Sequence, residues 1–152
     1  MNMIKNIMVA VDFSDYSLRS VRYAAKLANS LNASLILVNV FNERDVRAIQ
    51  SALATYDINL YQATIDQRIT EKKLRLADLA KSAEATTLVK KEIVVTDVPY
   101  RGLLRAIEEE KPDLLIMGTK GRGAIVDTIV GSCAQKMYRR CPIPLLSLRP
   151  EN

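Results

Sequence analysis

Asp113 to Lys136 read DLLIMGTKGRGAIVDTIVGSCAQK, and the fold turns on how this stretch divides. Asp113 to Met117 is an apolar run behind one acidic residue, the pattern of a strand covered on both faces in a parallel sheet. Gly118, Gly121 and Gly131 are three of only five glycines in the chain, and Ser132 stands where the next helix opens. Glycine permits positive φ and lets backbone amides approach an anion closely. A helix starting at Ser132 aims the positive end of its dipole at the same point. The spacing favours a phosphate site over a loop that merely contains glycine.

Working outward, strand and helix alternate through the chain. Ile4 to Val11 alternates little and reads as a buried first strand, ended by Asp12. Leu18, Val21, Ala25 and Ala28 then share one face of a helix running to about Leu31, with Ser14 or Asp15 available to cap it. Ser34 to Phe41 (SLILVNVF) is a second buried strand. Glu43 to Ile65 has helical composition but is interrupted at Tyr56 to Asn59, which predicts a mobile insertion or a broken helix. A helical register follows at Leu76, Leu79, Ala80 and Ala83, and Leu88 to Val95 gives a third strand. Pro99 suits the first turn of a helix whose face carries Tyr100, Leu103, Leu104 and Ile107. Beyond the glycine run, Ser132 to Arg140 is a helix stopped by Pro142 and Pro144, and Leu145 to Leu148 is a short last strand.

This alternation predicts an α/β fold: one domain over 1–152, an open, mostly parallel five-stranded sheet with helices on both faces, and a variable segment at about 43–65. Ligands of such sheets sit at the carboxyl ends of strands, where strand order reverses. If the first and fourth strands are neighbours at that reversal, Asp12 and the glycine run face each other across one crevice.

Composition narrows the function classes. At 152 residues with mixed charge the chain fits a soluble globular domain. No apolar run is long enough to span a bilayer, and the start, MNMIKNIMVAVDFSD, meets Asp12 too early for a secretory signal. A cytoplasmic protein without membrane association is expected. The net charge of +5 is spread along the chain. Lys72, Lys73, Arg75 and Lys81 punctuate one helical segment, Lys90 and Lys91 precede a strand, and Arg139 and Arg140 end a helix. Such residues are usually solvated faces and dipole complements, so nucleic acid is disfavoured as a partner. Cys133 and Cys141, in a chain with no His, read as reduced, mostly buried thiols.

Two phosphate motifs fail on spacing. Ala124 and Ile125 stand where a P-loop needs Lys and Ser or Thr, and Gly121-Arg122-Gly123 lacks the third glycine of a dinucleotide fingerprint. The loop after the first strand, VDFSDYS, also lacks the glycine pair of a pyrophosphate-forming ATPase. Four segments instead resemble the universal stress protein family: VAVDFSDYS at 9–17, DLLIMGTKGRG at 113–123, VGSCAQK at 130–136 and CPIPLLSLRP at 141–150. The likeness covers nearly the whole chain, and Gly118-x2-Gly121-x9-Gly131-Ser132 is similar to the signature of the family's ATP-binding branch.

The resemblance implies an adenine nucleotide alpha hydrolase-like fold and a residue-by-residue site. Asp12 would contact the adenosine moiety beside Ala10 and Val11, Val40 would line the adenine pocket, and Met117 and Gly118 would close the nucleoside side. Gly121, Gly131 and Ser132 would offer backbone amides and a hydroxyl to the phosphates, with Lys120 and Arg122 adding charge at the rim. Plainer roles stay open: Asp12 as a helix cap, Val40 and Met117 as core, Lys120 and Arg122 as solvated loop charges. The implied function is a dimeric sensor or regulator in stress response that binds ATP, AMP or ADP, dimerises through Leu145 to Leu148 and signals to an unidentified protein partner. The alternative is a slow Mg-dependent ATPase or nucleotide-dependent transferase, with Asp12 or Asp127 holding Mg²⁺. Two positions depart from the family pattern. Asp97-Val98-Pro99 replaces a common Gly-x-Pro, and Cys133 brings a thiol near the phosphate site, where the buried structural reading is preferred over a lowered pKa.

Overall fold

A computed structural model describes residues 3–53, 55–120 and 130–150. In chain order the elements are β1 (Asn6–Ala10), α1 (Ser17–Leu31), β2 (Ser34–Asn42), α2 (Glu43–Leu53), α3 (Ile58–Ser82), β3 (Val89–Asp97), α4 (Pro99–Glu110), β4 (Leu114–Gly118), α5 (Ser132–Arg140) and β5 (Leu145–Leu148). The strands form one sheet in the order β3-β2-β1-β4-β5, and every pairing is parallel. The chain winds outward from β1 through β2 to β3, then crosses back to place β4 on the other side of β1. Strand order therefore reverses between β1 and β4, the juxtaposition anticipated from the sequence.

Alternation along the central strands explains their unbroken apolar runs. Ile7, Val9, Leu35, Leu37, Leu114 and Ile116 face α1 and α3, where Val21, Ala24, Ala28, Leu76 and Ala80 cover them. Met8, Ile36, Val38, Leu115 and Met117 face the opposite side, under Leu103, Ala106 and Ile107 of α4 and Ala134 and Met137 of α5. At the opposite, amino-terminal ends of the strands, Asp113 ties β1 to β4. Its Oδ2 accepts the Lys5 and Asn6 amides at 2.9 Å each, and these hydrogen bonds hold the carboxyl below its ordinary pKa of 3.8.

One local expectation is corrected, and one is resolved in favour of the broken helix. Neither Ser14 nor Asp15 is the N-cap of α1: Tyr16 occupies that position without a side-chain cap, and the Ser14 hydroxyl accepts the Tyr16 amide at 3.3 Å. The segment at Glu43–Ile65 forms two helices, so the break predicted at Tyr56 to Asn59 is a turn. Asp57 caps the second helix by accepting the Asn59 amide at 2.9 Å, and α3 then continues into the register predicted around Leu76. Only Ile65, Leu76 and Ala80 of α3 are buried, and no residue of α2 is.

Candidate functional site

The site begins where β1 runs out. Val11 still donates its amide to Val38 O at 2.8 Å, and the side-chain Nδ2 of Asn39 donates to Val11 O at 2.8 Å. Asn39 is only 4% exposed, and its Oδ1 has no hydrogen-bond partner among the described residues. Because Val11 O can only accept, the amide nitrogen must face it. Asp12 comes next, with Oδ1 accepting the Ser14 amide at 3.0 Å and the Ser17 hydroxyl at 2.9 Å. It thus braces the turn into α1 while also lining the cleft described below.

Phe13 adopts φ 61°, a left-handed conformation costing roughly 1–2 kcal/mol in a residue of this bulk. Its ring lies 4.0 Å from the Arg75 guanidinium carbon, and Lys72 sits 5.7 Å from Phe13 and 4.7 Å from Phe41. These cations of α3 are packed on aromatic rings rather than simply solvated.

Across the reversal, Thr119 joins three elements. Its amide donates to Leu148 O of β5 at 2.9 Å, and its carbonyl accepts the Gly131 amide at 2.7 Å, just before α5. The Gly131 amide is therefore engaged within the protein. The amides at the start of α5, from Ser132, Cys133 and Ala134, are those without an intrahelical acceptor. Gly131 has φ −61°, which any residue adopts, and a Cβ there would lie 3.4 Å from Thr119 O, an ordinary contact. Gly118 is tighter, with a Cβ falling 3.1 Å from Lys120 O.

Between these two halves lies a cleft of about 550 Å³. Ala10, Val11, Asp12, Val40, Met117, Gly118, Lys120, Gly131 and Ser132 all line it, so the structure brings the sequence-predicted residues together. Gly121, Arg122 and Asp127 lie outside the described residues. Lys120 is corrected from rim to wall: it is 6% exposed, buried beside Thr119.

Several lining residues had not been singled out as site residues: Asn39, Thr119, Tyr100, Lys136 and, at the start of α2, Arg44 and Asp45. Lys136 and Arg140 of α5 lie 4.6 and 5.0 Å from the centre of the Tyr100 ring. Gly102 was also missed. It lets α4 press onto β2, and a Cβ there would be 2.7 and 2.8 Å from the two methyls of Val40; a glycine inside a helical register was its available signal.

The two departures acquire structural accounts. The Asp97 carboxylate accepts the Val98 amide at 2.7 Å and pairs with Arg105 at 3.1 Å, fixing the turn that presents Val98, Pro99 and Tyr100 to the cleft. Cys133 has its thiol pushed up to about 11, by burial first and then by the Asp12 charge, with Lys136 opposing. It is a protonated thiol at neutral pH. Asp12 and the α5 start therefore interact across one crevice.

The sequence profile of the universal stress protein family matches residues 3–149. The chain belongs to the universal stress protein family. A universal stress protein from Methanocaldococcus jannaschii is 23% identical over 158 residues, spanning 99% of this chain and 98% of the relative. The solved structure of that protein matches with a TM-score of 0.81 at 20% identity, covering 99% of both chains. A universal stress protein from Thermus aquaticus is 28% identical over 149 residues, 97% of this chain and 100% of the relative. A universal stress protein solved in complex with cAMP matches with a TM-score of 0.62 at 24% identity, over 97% of this chain and 98% of that one. No helix among the described residues is long and apolar enough to cross a membrane.

Proposed function

We propose that the cleft binds an adenine nucleotide, ATP, ADP or AMP, and that this universal stress protein acts as a dimeric cytoplasmic sensor or regulator in stress response. One observation carries the reading: Asp12 at the end of β1 and the start of α5, whose first amides have no intrahelical acceptor, line the same cleft, at the reversal of strand order. The β1–β2 end supplies an apolar wall through Ala10 and Val40, and Met117 adds to it from β4. The helix start supplies amides, the Ser132 hydroxyl and a positive dipole end, the chemistry a phosphate requires. A volume of about 550 Å³ fits a nucleotide-sized ligand. The relative solved with cAMP supports an adenine nucleotide as the ligand class.

Among the described residues, Asp12 and Asp45 are the carboxylates on the cleft wall. One or two carboxylates together with substrate phosphates are a usual Mg²⁺ environment, so a metal would enter with the nucleotide. In a chain with no His, binding rather than rapid turnover is the preferred reading. The dimer would form through β5, whose leucines are half-buried and whose outer edge is unpaired among the described residues. Light scattering tests it: the parent should be a dimer at micromolar concentration and Leu146→Lys a monomer.

The nucleotide reading is tested by melting with ATP, GTP or inorganic triphosphate. At about 100 times its Kd a ligand stabilises the folded state by roughly 2.7 kcal/mol. ATP should raise the Tm most, because the guanine amine finds no partner in a tight apolar wall. Equal shifts with all three would contradict the adenine pocket.

A further inference from the structure

Lys136 is a cation of the cleft to which the site reading gives no task, and it lies on the helix that carries Ser132. It sits on α5 one turn after Ser132, and both line the cleft. Four helical residues advance about 6 Å, and long helical side chains lean back toward the amino terminus, so its stem runs toward the helix start. Its ammonium lies 4.6 Å from the centre of the Tyr100 ring and forms no ion pair among the described residues. Tyr100 belongs to the first turn of α4, and Val98, Pro99 and Leu103 line the cleft with it.

The ammonium thus lies over the Tyr100 ring in a cleft that the start of α5 also lines. The charges of Asp12 and Lys136 also act in opposite directions on the Cys133 thiol, which puts both within electrostatic reach of that helix start. A cation on an aromatic face at a partly open site is held weakly compared with a charged hydrogen bond to a phosphate oxygen.

Resting on the nucleotide reading above, we propose that Lys136, parked on Tyr100, contacts the phosphate joined to the ribose and so selects nucleoside 5′-phosphates over nucleosides. A ligand phosphate at that point draws the ammonium off the ring. The amides of α5 are then left for any phosphates farther along the chain. The selectivity belongs to a side chain on the second turn of α5, outside the glycine run.

Calorimetry with adenosine, AMP and ATP on the parent, Lys136→Met and Lys136→Arg tests this. Lys136→Met removes the charge from an exposed position and keeps the stem, so it should melt like the parent without ligand. AMP affinity should fall about tenfold or more, while adenosine changes by less than about twofold. Lys136→Arg should restore AMP to within about threefold, since it keeps the charge and the ring contact. Unchanged AMP affinity in Lys136→Met, or an equal loss for adenosine and AMP, overturns the assignment while leaving the nucleotide cleft intact. A parent that binds none of the three overturns the nucleotide reading and this assignment with it.

Discussion

The two faces of the sheet finish differently at the carboxyl ends of the strands. On the α1 and α3 face the ends are closed by the protein's own side chains. Phe13 and Phe41 lie against Lys72 and Arg75, while Asn39 and Asp12, bonded to Val11 O, the Ser14 amide and the Ser17 hydroxyl, stand at the boundary and also line the cleft. On the α4 and α5 face the same strands end in the cleft, before the amides of Ser132 to Ala134 and the Lys136 ammonium. Nearly identical apolar strands therefore support stability on one side and recognition on the other. What separates them is where the cleft opens.

This contrast is broken most severely from the closed face. Leu76 is fully buried and anchors α3, so Leu76→Ala should cost about 2–5 kcal/mol in chemical denaturation. Folded Leu76→Ala should still bind nucleotide like the parent. A matching loss of affinity would mean that the two faces are not separable.

Gly102→Ala tests the open face. A methyl would press on Val40, whose branched side chain has little rotamer freedom. Overpacking costs about 1–3 kcal/mol, reduced by roughly 1 kcal/mol of helix propensity gained. The distinctive outcome is functional: Val40 lines the cleft, so nucleotide affinity should fall more than the small loss of stability implies. Binding calorimetry beside thermal melting makes the comparison.

A smaller effect comes from Asp113, remote from both faces of the cleft. The backbone hydrogen bonds from Lys5 and Asn6 depress its carboxyl pKa below 3.8, so its stabilisation is present above that value. It is lost as pH falls through the folded value. Asp113→Asn should be less stable than the parent at pH 7 by under about 1 kcal/mol, because the carboxylate is partly solvated. Denaturation midpoints should converge below pH 3.8, and nucleotide affinity at neutral pH should not change.

The runs Ile4 to Val11 and Asp113 to Met117 made the buried central strands legible, because both of their faces are covered by helices. The long helix α3 was harder to read: its buried positions Ile65, Leu76 and Ala80 are too sparse to announce 25 residues of helix. Within the site, Asp12, Val40, Met117 and Ser132 could be placed by strand ends and family likeness together. Lys136 depends on how α5 lies against α4, and the engagement of Gly131 by Thr119 on a long-range backbone contact. Neither is encoded in local spacing.

The central claim is that phosphate meets the start of α5 on the open face. Gly131→Val addresses it directly, since Gly131 has an ordinary φ and a Cβ there makes an ordinary contact, yet its side chain would stand in the cleft. Calorimetric titration with ATP is the measurement, on a variant whose unliganded melting matches the parent. An affinity loss on the order of 100-fold, about 2.7 kcal/mol, is expected. A folded Gly131→Val protein that binds ATP within about threefold of the parent would contradict it.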